Sequence, residues 1–367
     1  MKKIRLFLIS FLVLLKLTSV MGQDSSSQSS QDEVIRIESK LVVVPVSVID
    51  KNGNPLSGLT KDDFILKEEN KPQLIDSLLQ AEETPLEIAT LFDVSATTEP
   101  IYNLQREALI QFLNEVTRAE DHVSIFLIGT KPILLQQRTD SKDAIKAISQ
   151  IYPSKQYTAL YDTIALASEY LNKNAPPRSR KIILAITDGE DTNSQRIASA
   201  IQQGYKQLGK KLDTMDSKSL YELTVKVRDE ATKQEEARIL RILQNADIVF
   251  YSINLSSSSY ELNQISQRGQ KTLQKLAEET GGTAYLSGFL PTNLKNSYQN
   301  AMNERLNKQT IAEIFQRLTN ELRKQYVLQY YSEGNFPKGQ FVKLTVELKR
   351  AGNFQLKVRK GYFVEAR

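Results

Sequence analysis

The sequence predicts an α/β domain, a mostly parallel β-sheet with helices on both faces, inserted between two β segments that form one small β-sandwich. Short continuous apolar runs such as "LEIATLFD" and "KIILAITDG" alternate with helical patterns through the middle of the chain. Such runs are typical of strands buried on both faces of a parallel sheet. The flanking segments instead show the alternation and turn residues of antiparallel strands. Because each flank is small for a core of its own, we expect the two to pair.

The N-terminal 22 residues have the pattern of a secretory signal peptide. A cationic "MKKIR" precedes the apolar run "LFLISFLVLL", which is about half the length that a membrane span needs. Residues 23–33 are rich in Ser and Gln and predict a flexible linker. We therefore expect a secreted, periplasmic or cell-envelope protein without a membrane span once the signal is removed. An uncleaved N-terminal anchor is the alternative.

Composition excludes several classes of function. The net charge of +5 includes four bases inside the predicted signal peptide, and the other bases are scattered, so we expect no nucleic-acid partner. The absence of cysteine excludes disulfides, thiolate metal sites and a cysteine nucleophile. The single histidine, His122, begins an apolar run and is interpreted as structural. No G-x-S-x-G pattern accompanies it, so a Ser-His-Asp triad is not expected.

The predicted elements follow in chain order. Residues 34–83 form the first β region, with a strand at "VVVPVSVI" and a turn at "DKNGNP". Residues 84–323 form the α/β domain, and residues 324–367 return to β strands. Within the α/β domain, helical patterns lie at 101–118, 141–149, 159–172 and in "IAEIFQRLTNELRKQ".

Residues 196–245 form a predicted helical insertion between two strands of the sheet. The segment is highly charged and has only a thin apolar stripe. Two interpretations remain open at this point. The insertion is either a solvated helical segment packed on one edge of the domain or a protrusion that binds a partner.

Oxygen-bearing side chains follow the ends of the predicted strands. Asp93, Ser95 and Thr97 follow "LEIATLF", Thr158 precedes the helix at 159, and Asp188 follows "KIILAIT". In an open parallel sheet, ligands bind beyond the carboxyl ends of the strands. A set of carboxylates and hydroxyls without nitrogen or sulfur suits a hard cation, namely Mg²⁺, Mn²⁺ or Ca²⁺.

Three short motifs carry a resemblance to a known family. "DVSAT", "YTALYD" and "ITDGED" resemble, in this order, the three motifs of the metal-ion-dependent adhesion site of a von Willebrand factor A domain. The resemblance covers roughly residues 84–290. The resemblance implies a Rossmann-like domain. It also implies that Ser95 and Thr97 bind the ion directly, and that Asp93, Thr158 and Asp188 do so directly or through water. A carboxylate from a protein partner would complete the shell.

The flanking segments extend the resemblance to nearly the whole mature chain. "SGLTKDDF" and "RKQYVLQY…VRKGYF" are similar to a secreted bacterial, acidobacterial-type group of proteins related to this family. The sequence departs from the family pattern at two points. Thr97 stands where the family usually has Ser. The Gly that the family often has before the threonine of its second motif, here Thr158, is missing. The β-methyl of a threonine restricts its side-chain rotation.

Three functions are compared. The residues favour a non-enzymatic module that binds a protein through a divalent cation, in adhesion or assembly. The alternative is a metal-free structural or assembly component of the cell envelope. A Mg²⁺-dependent phosphohydrolase of the haloacid dehalogenase type would need a second acid two residues after Asp93, where this chain has Ser95.

Overall fold

A computed structural model describes residues 40–364, except positions 52, 97, 155–156, 255–263, 287, 292–294 and 351. The predicted signal peptide and linker lie outside the described residues, as does Thr97. Within the described part of the chain, no helix combines the length and the apolar character that a membrane crossing requires.

The described residues form fourteen strands and seven α-helices, numbered in chain order. The strands are β1 (Lys40–Ile49), β2 (Phe64–Glu68), β3 (Lys71–Gln73), β4 (Ser77–Gln80), β5 (Leu86–Asp93), β6 (His122–Ile128), β7 (Ile133–Thr139), β8 (Arg180–Ile186), β9 (Ile248–Ile253), β10 (Ala284–Tyr285), β11 (Tyr326–Ser332), β12 (Phe341–Leu348), β13 (Gln355–Val358) and β14 (Gly361–Phe363). The helices are α1 (Tyr102–Val116), α2 (Ser141–Ile148), α3 (Leu160–Asn174), α4 (Gln195–Leu208), α5 (Ser217–Asn245), α6 (Gln264–Thr280) and α7 (Ser297–Arg323).

The central sheet has six strands in the order β10-β9-β8-β5-β6-β7. All neighbouring pairs are parallel except β6 and β7. Every residue of β5 is buried, as the continuous apolar run predicts for a strand covered on both faces. The predicted fold class is confirmed. The antiparallel edge strand β7 is not among the predicted elements; only four residues separate it from β6, too few for a helical crossover.

Helices cover both faces of this sheet. Apolar residues of α1, α2 and α7 form the core on one face, where the rings of Phe112 and Phe315 lie 5.2 Å apart. Residues of α3, α5 and α6 form the core on the other face. The two cores hold β5 rigidly between them, so the residues at its carboxyl end have a fixed position.

Strands from both chain termini form the β-sandwich together. Its two sheets have the orders β13-β1-β11-β4 and β14-β12-β2-β3, and they share one apolar core. Each sheet combines N-terminal with C-terminal strands, so neither flank completes a sheet alone. Inside this core, the buried carboxylate of Glu68 accepts hydrogen bonds from the hydroxyls of Tyr330 (2.7 Å), Ser332 (2.9 Å) and Tyr362 (2.7 Å).

The segment between β8 and β9 is helical, built mainly from α4 and α5. Its first part is a helix pair, in which the hydroxyls of Tyr205 and Thr224 lie 2.6 Å apart. The second half of α5 carries Ile239 and Leu243, which are buried in the core of the α/β domain. That half is thus part of the domain core. Partner binding by the insertion stays a prediction.

Candidate functional site

The carboxyl ends of β5 and β8 place Asp93 beside Thr187. The two strands are parallel neighbours, with Phe92 opposite Ile186. Asp93 is fully buried. The Thr187 hydroxyl donates a hydrogen bond to Oδ2 of Asp93 (2.6 Å), and the Ser95 N–H donates to Oδ1 (2.9 Å). Each carboxylate oxygen of Asp93 therefore accepts one hydrogen bond, and the two bonds together orient the carboxylate.

Asp188 brings a second buried carboxylate to this end of the sheet. Its Oδ1 accepts a hydrogen bond from the Glu190 N–H (3.0 Å), and its main-chain oxygen accepts one from Asn254 Nδ2 (3.3 Å). Burial and the negative charge of Asp188 together raise the pKa of Asp93 to about 7. Hydrogen bonds from Ser95 and Thr187 oppose this rise. Two carboxylates thus lie close enough to repel each other in a buried position.

The loop that carries Thr158 is tied to both of these strand ends. The Thr158 N–H donates to the Thr192 hydroxyl (3.0 Å), and the Thr158 carbonyl accepts from the N–H of Asn193 (2.8 Å). The Ser154 N–H donates to the Val94 carbonyl (2.8 Å). The structure therefore brings the loops of Asp93, Ser95, Thr158 and Asp188 together. The fifth predicted residue, Thr97, lies outside the described residues.

Three further polar residues of this region are not among the five predicted site residues. Thr187 bridges the two strand ends through its hydrogen bond to Asp93, and its hydroxyl also accepts from the Gly189 N–H (3.1 Å). Asn254 follows β9 and reaches Asp188. Asp191 accepts from the N–H of Tyr161 (3.2 Å) and of Ser194 (3.1 Å), and burial raises its pKa to about 6. Position after a strand is the signal that identifies Thr187 and Asn254.

The donor set matches a hard cation. It contains carboxylate and hydroxyl oxygens. Among the described residues, no group of three or more His, Cys, Asp or Glu side chains is arranged to hold a metal ion, so carboxylates alone do not form the site. Mg²⁺ accepts few protein ligands and keeps several waters, so two carboxylates with hydroxyls fit it. His122 begins β6, at the opposite end of the sheet, where its Nδ1 lies 3.6 Å from Oε1 of Glu87.

Comparisons with known proteins give one family match. Residues 88–190 match the model described as "von Willebrand factor type A domain". No curated protein matches the chain. The match does not include the β segments that flank the α/β domain, so the secreted bacterial, acidobacterial-type subgroup stays a prediction.

Solved structures similar to this chain include three bacterial proteins. The conserved hypothetical protein BatB from Bacteroides thetaiotaomicron is 16% identical, with 62% of this chain and 99% of that chain covered and a TM-score of 0.35. An aerotolerance-related membrane protein from Bacteroides fragilis is 15% identical, with the same coverage and a TM-score of 0.34. The PilB minor pilin from Streptococcus sanguinis is 14% identical, with 66% and 63% covered and a TM-score of 0.42.

The family assignment rests on the sequence match and on the topology. The matched residues run from β5 to the loop after β8 and include the central pair of strands with its carboxylates. The mostly parallel six-stranded sheet with helices on both faces agrees with that family. Residues 88–190 thus match a von Willebrand factor type A domain in sequence, and the sheet that contains them has a topology consistent with that match.

Proposed function

We propose that this protein is a non-enzymatic module that binds a protein partner through a divalent cation, Mg²⁺ first, with Mn²⁺ and Ca²⁺ as alternatives. The residues that would hold the cation are Asp93, Ser95, Thr97, Thr158 and Asp188. The observation that carries the proposal is the pair of buried, mutually repelling carboxylates of Asp93 and Asp188 at the carboxyl edge of the sheet. Thr97 enters through the family resemblance alone.

A divalent cation relieves the repulsion that the fold builds into this pair. Two like charges in a buried site are unfavourable, and a cation between them reverses the sign of the interaction. The hydroxyls of Ser95 and Thr158 are neutral ligands and add no negative charge. The two carboxylates balance the charge of a divalent ion, but Mg²⁺ keeps several coordination positions for water, and a carboxylate from outside the chain would enter by replacing one of these waters. Adhesion or assembly through an acidic residue of a partner follows from this chemistry.

Position 95 does not hold the second acid that a phosphohydrolase of the haloacid dehalogenase type needs. A hydrolase with an aspartate nucleophile needs a general acid beside it to protonate the leaving group. Ser95, two residues after Asp93, has no acidic proton to give near neutral pH. The Thr187 hydroxyl is engaged with Asp93 itself.

The predicted signal peptide supports a site of action outside the cytoplasm. Residues 1–22 would direct the chain to the periplasm, the cell envelope or the medium. Protein partners of those compartments are thus the proposed ligands. A chain whose signal stays uncleaved would act at the membrane surface instead.

Calorimetric titration with Mg²⁺ tests the proposal. We expect saturable heat from the wild-type chain and none from Asp93→Ala. The exposed acid Asp62, in the sandwich, supplies the control: Asp62→Ala should bind Mg²⁺ as the wild type does. If the wild-type chain gives no heat with millimolar Mg²⁺ or Mn²⁺, the cation part of the proposal is wrong and a metal-free assembly role takes its place.

A further inference from the structure

We infer that the cleft between the sandwich and the α/β domain binds an amphipathic anion, namely a carboxylate with a single apolar chain. The cleft lies at the amino ends of the central strands: of its lining residues, Thr84 precedes β5, Arg180 begins β8 and Asp247 precedes β9. It is therefore a different site from the candidate cation site, which lies at the carboxyl ends. The inference does not depend on the proposed function.

The cleft has the size of a small-molecule site. Its volume is about 450 Å³. Ligand pockets occupy about 300–1,000 Å³ and are frequent at the junctions between domains. One wall is the outer face of the sandwich sheet that contains β1, β4 and β11. The other wall is formed by the loop between α3 and β8 and by the starts of β8 and β9.

The sandwich wall of the cleft is apolar. Leu41 and Val43 lie two residues apart on β1, so their side chains share one face of the sheet. Val327 of β11 is paired with Leu79 of β4, and both belong to the same wall. The outward face of a sandwich sheet is ordinarily polar. Leu41 is nonetheless 39% exposed, so the α/β domain does not cover this apolar face completely.

The opposite wall has a net positive charge. Arg178, Arg180 and Lys181 lie in it, against a single acid, Asp247. That acid is itself bound by a further base, because Arg359 Nη1 donates to its Oδ1. The sandwich wall carries no charged residue among those that line the cleft. The cleft as a whole therefore favours an anion.

Arg180 is a buried base without a carboxylate partner. It is 5% exposed, and its Nη1 and Nη2 donate to the carbonyls of Leu322 (2.7 Å) and Ala81 (3.2 Å). Among the described residues, no carboxylate accepts from its guanidinium. Burial lowers its pKa to about 10, so it stays charged near neutral pH. Asp121, an acid that acts on this pKa, is held by Arg323. Because a buried charge is ordinarily paired, an anion from outside the chain would supply the missing partner.

Two polar groups in this wall have no partner within the described part of the chain. They are Nε of Arg180 and the hydroxyl of Thr84, and both are shielded from solvent. Both groups can donate a hydrogen bond to a carboxylate. A carboxylate in the cleft would reach them through a bridging water, which is nearly as favourable as a direct bond.

Arg178 occupies a backbone position that favours glycine. Its φ is +66°, and the Ser179 N–H donates to the Pro176 carbonyl (3.2 Å) to close the turn that contains it. A positive φ at the third position of a turn usually belongs to glycine, because a Cβ there crowds the following carbonyl. Strained residues of this kind cluster at binding sites. We therefore assign the Arg178 side chain to the anionic head group.

A single-chain carboxylate matches both walls of the cleft. Its chain would lie against Leu41, Val43 and Leu79, and its head would face Arg178 and Arg180. A free phosphate would leave the apolar wall uncovered, and an uncharged apolar molecule would leave the basic wall unpaired. A peptide segment carries backbone N–H and C=O groups that the apolar wall cannot bind.

Calorimetric titration of the mature chain with decanoate, in EDTA and below micelle formation, tests the inference. We expect saturable binding of one decanoate per chain. Octanoate, which is two methylenes shorter, should bind about tenfold more weakly. Decanamide, which has the same chain without the charge, should also bind about tenfold more weakly. Inorganic phosphate alone should give no saturable heat.

The variant Arg178→Gly separates binding from folding. Glycine relieves the positive φ, so the variant should resist urea at least as well as the wild type. It should nevertheless bind decanoate about tenfold more weakly, because the charge is gone. Val43→Trp, which fills the apolar part of the cleft, should weaken binding at least as much. Lys142→Ala, at an exposed base of α2 outside the cleft, is the matched control and should bind decanoate normally.

Three results would overturn the inference. The first is a wild-type chain that gives no saturable heat with millimolar decanoate. The second is decanamide binding as tightly as decanoate, since the basic wall then has no role. The third is unchanged decanoate binding in both Arg178→Gly and Val43→Trp, since the anion then binds elsewhere. Both variants should give the Mg²⁺ heat of the wild type, so failure at this cleft is distinct from failure of the cation site.

Discussion

The substitution Asp93→Asn should stabilise the protein when no divalent cation is present. In the folded chain the pKa of Asp93 is raised to about 7 from an ordinary value of 3.8. Folding therefore favours the protonated carboxyl, and stability falls as pH rises from about 4 to about 7. Above pH 7 this loss is complete and amounts to about 4 kcal/mol. Asparagine has nearly the same shape and carries no charge, so it escapes this penalty.

One hydrogen bond reduces the expected gain. The asparagine Oδ1 can still accept from the Ser95 N–H, but its amide group replaces the oxygen that accepts from Thr187. Because the Thr187 hydroxyl then loses its acceptor, about 1 kcal/mol is subtracted. The net gain at pH 8 is about 2–3 kcal/mol, or roughly 3–5 °C in Tm for a folded unit spanning Ser39–Arg367. At pH 5 the gain should shrink to about 1 kcal/mol or less.

Urea unfolding in EDTA and in Mg²⁺, at pH 8 and pH 5, measures these differences. In EDTA at pH 8 the variant should be the more stable protein. Mg²⁺ should raise the stability of the wild type and leave the variant unchanged, because only the carboxylate form binds the cation. Asp62→Asn, at the exposed acid, should follow the wild type under all conditions. A variant less stable than the wild type in EDTA at pH 8 would refute the reasoning about the buried pair.

Three further substitutions test the site and its support. Thr187→Val removes the hydroxyl that joins Asp93 to the loop after β8 and should lower the free energy of unfolding by about 1–3 kcal/mol in urea. Gly189→Ala places a Cβ 2.7 Å from the α6 backbone at a φ of +83°. It should destabilise the protein in urea by about 2 kcal/mol more than Gly53→Ala, whose φ is +82° but whose Cβ meets open space. Glu68→Ala leaves three sandwich hydroxyls without their acceptor and should lower the free energy of unfolding by about 3–5 kcal/mol, measured in the same way.

The architecture could be predicted because its strands have an unambiguous pattern. β5 and β8 are continuous apolar runs, which only strands buried on both faces need. β7 lacks this signal, since polar residues fill the second half of "ILLQQRT". The start of α7 is also not predicted, since the apolar pattern begins at Ile311 and the helix begins at Ser297. Asn303 and Asn307 hold its first turns through hydrogen bonds to the carbonyls of Pro291 and Leu290 (2.9 Å each), which an apolar stripe does not reveal.

The candidate site could be predicted in its residues but not in its contacts. Position after a strand identifies Asp93, Ser95 and Asp188. The bond between Thr187 and Asp93 depends on β5 lying beside β8, which is not its neighbour in the chain. Strand order is set by how helices pack on both faces of the sheet, and a local pattern does not contain that information. The cost of two buried carboxylates is likewise a property of the assembled sheet.

The two connections between the α/β domain and the sandwich are joined to each other by hydrogen bonds and an ion pair. Asp121 joins the entry to the α/β domain with its exit, because it accepts from the Leu86 N–H (2.7 Å) and pairs with Arg323 at the end of α7. Arg180, at the amino end of β8, donates to the carbonyls of Ala81 (3.2 Å) and Leu322 (2.7 Å). Both connections to the sandwich therefore leave from the amino ends of the strands. The carboxyl ends of β5 and β8, where Asp93 and Asp188 lie, are at the other end of these strands.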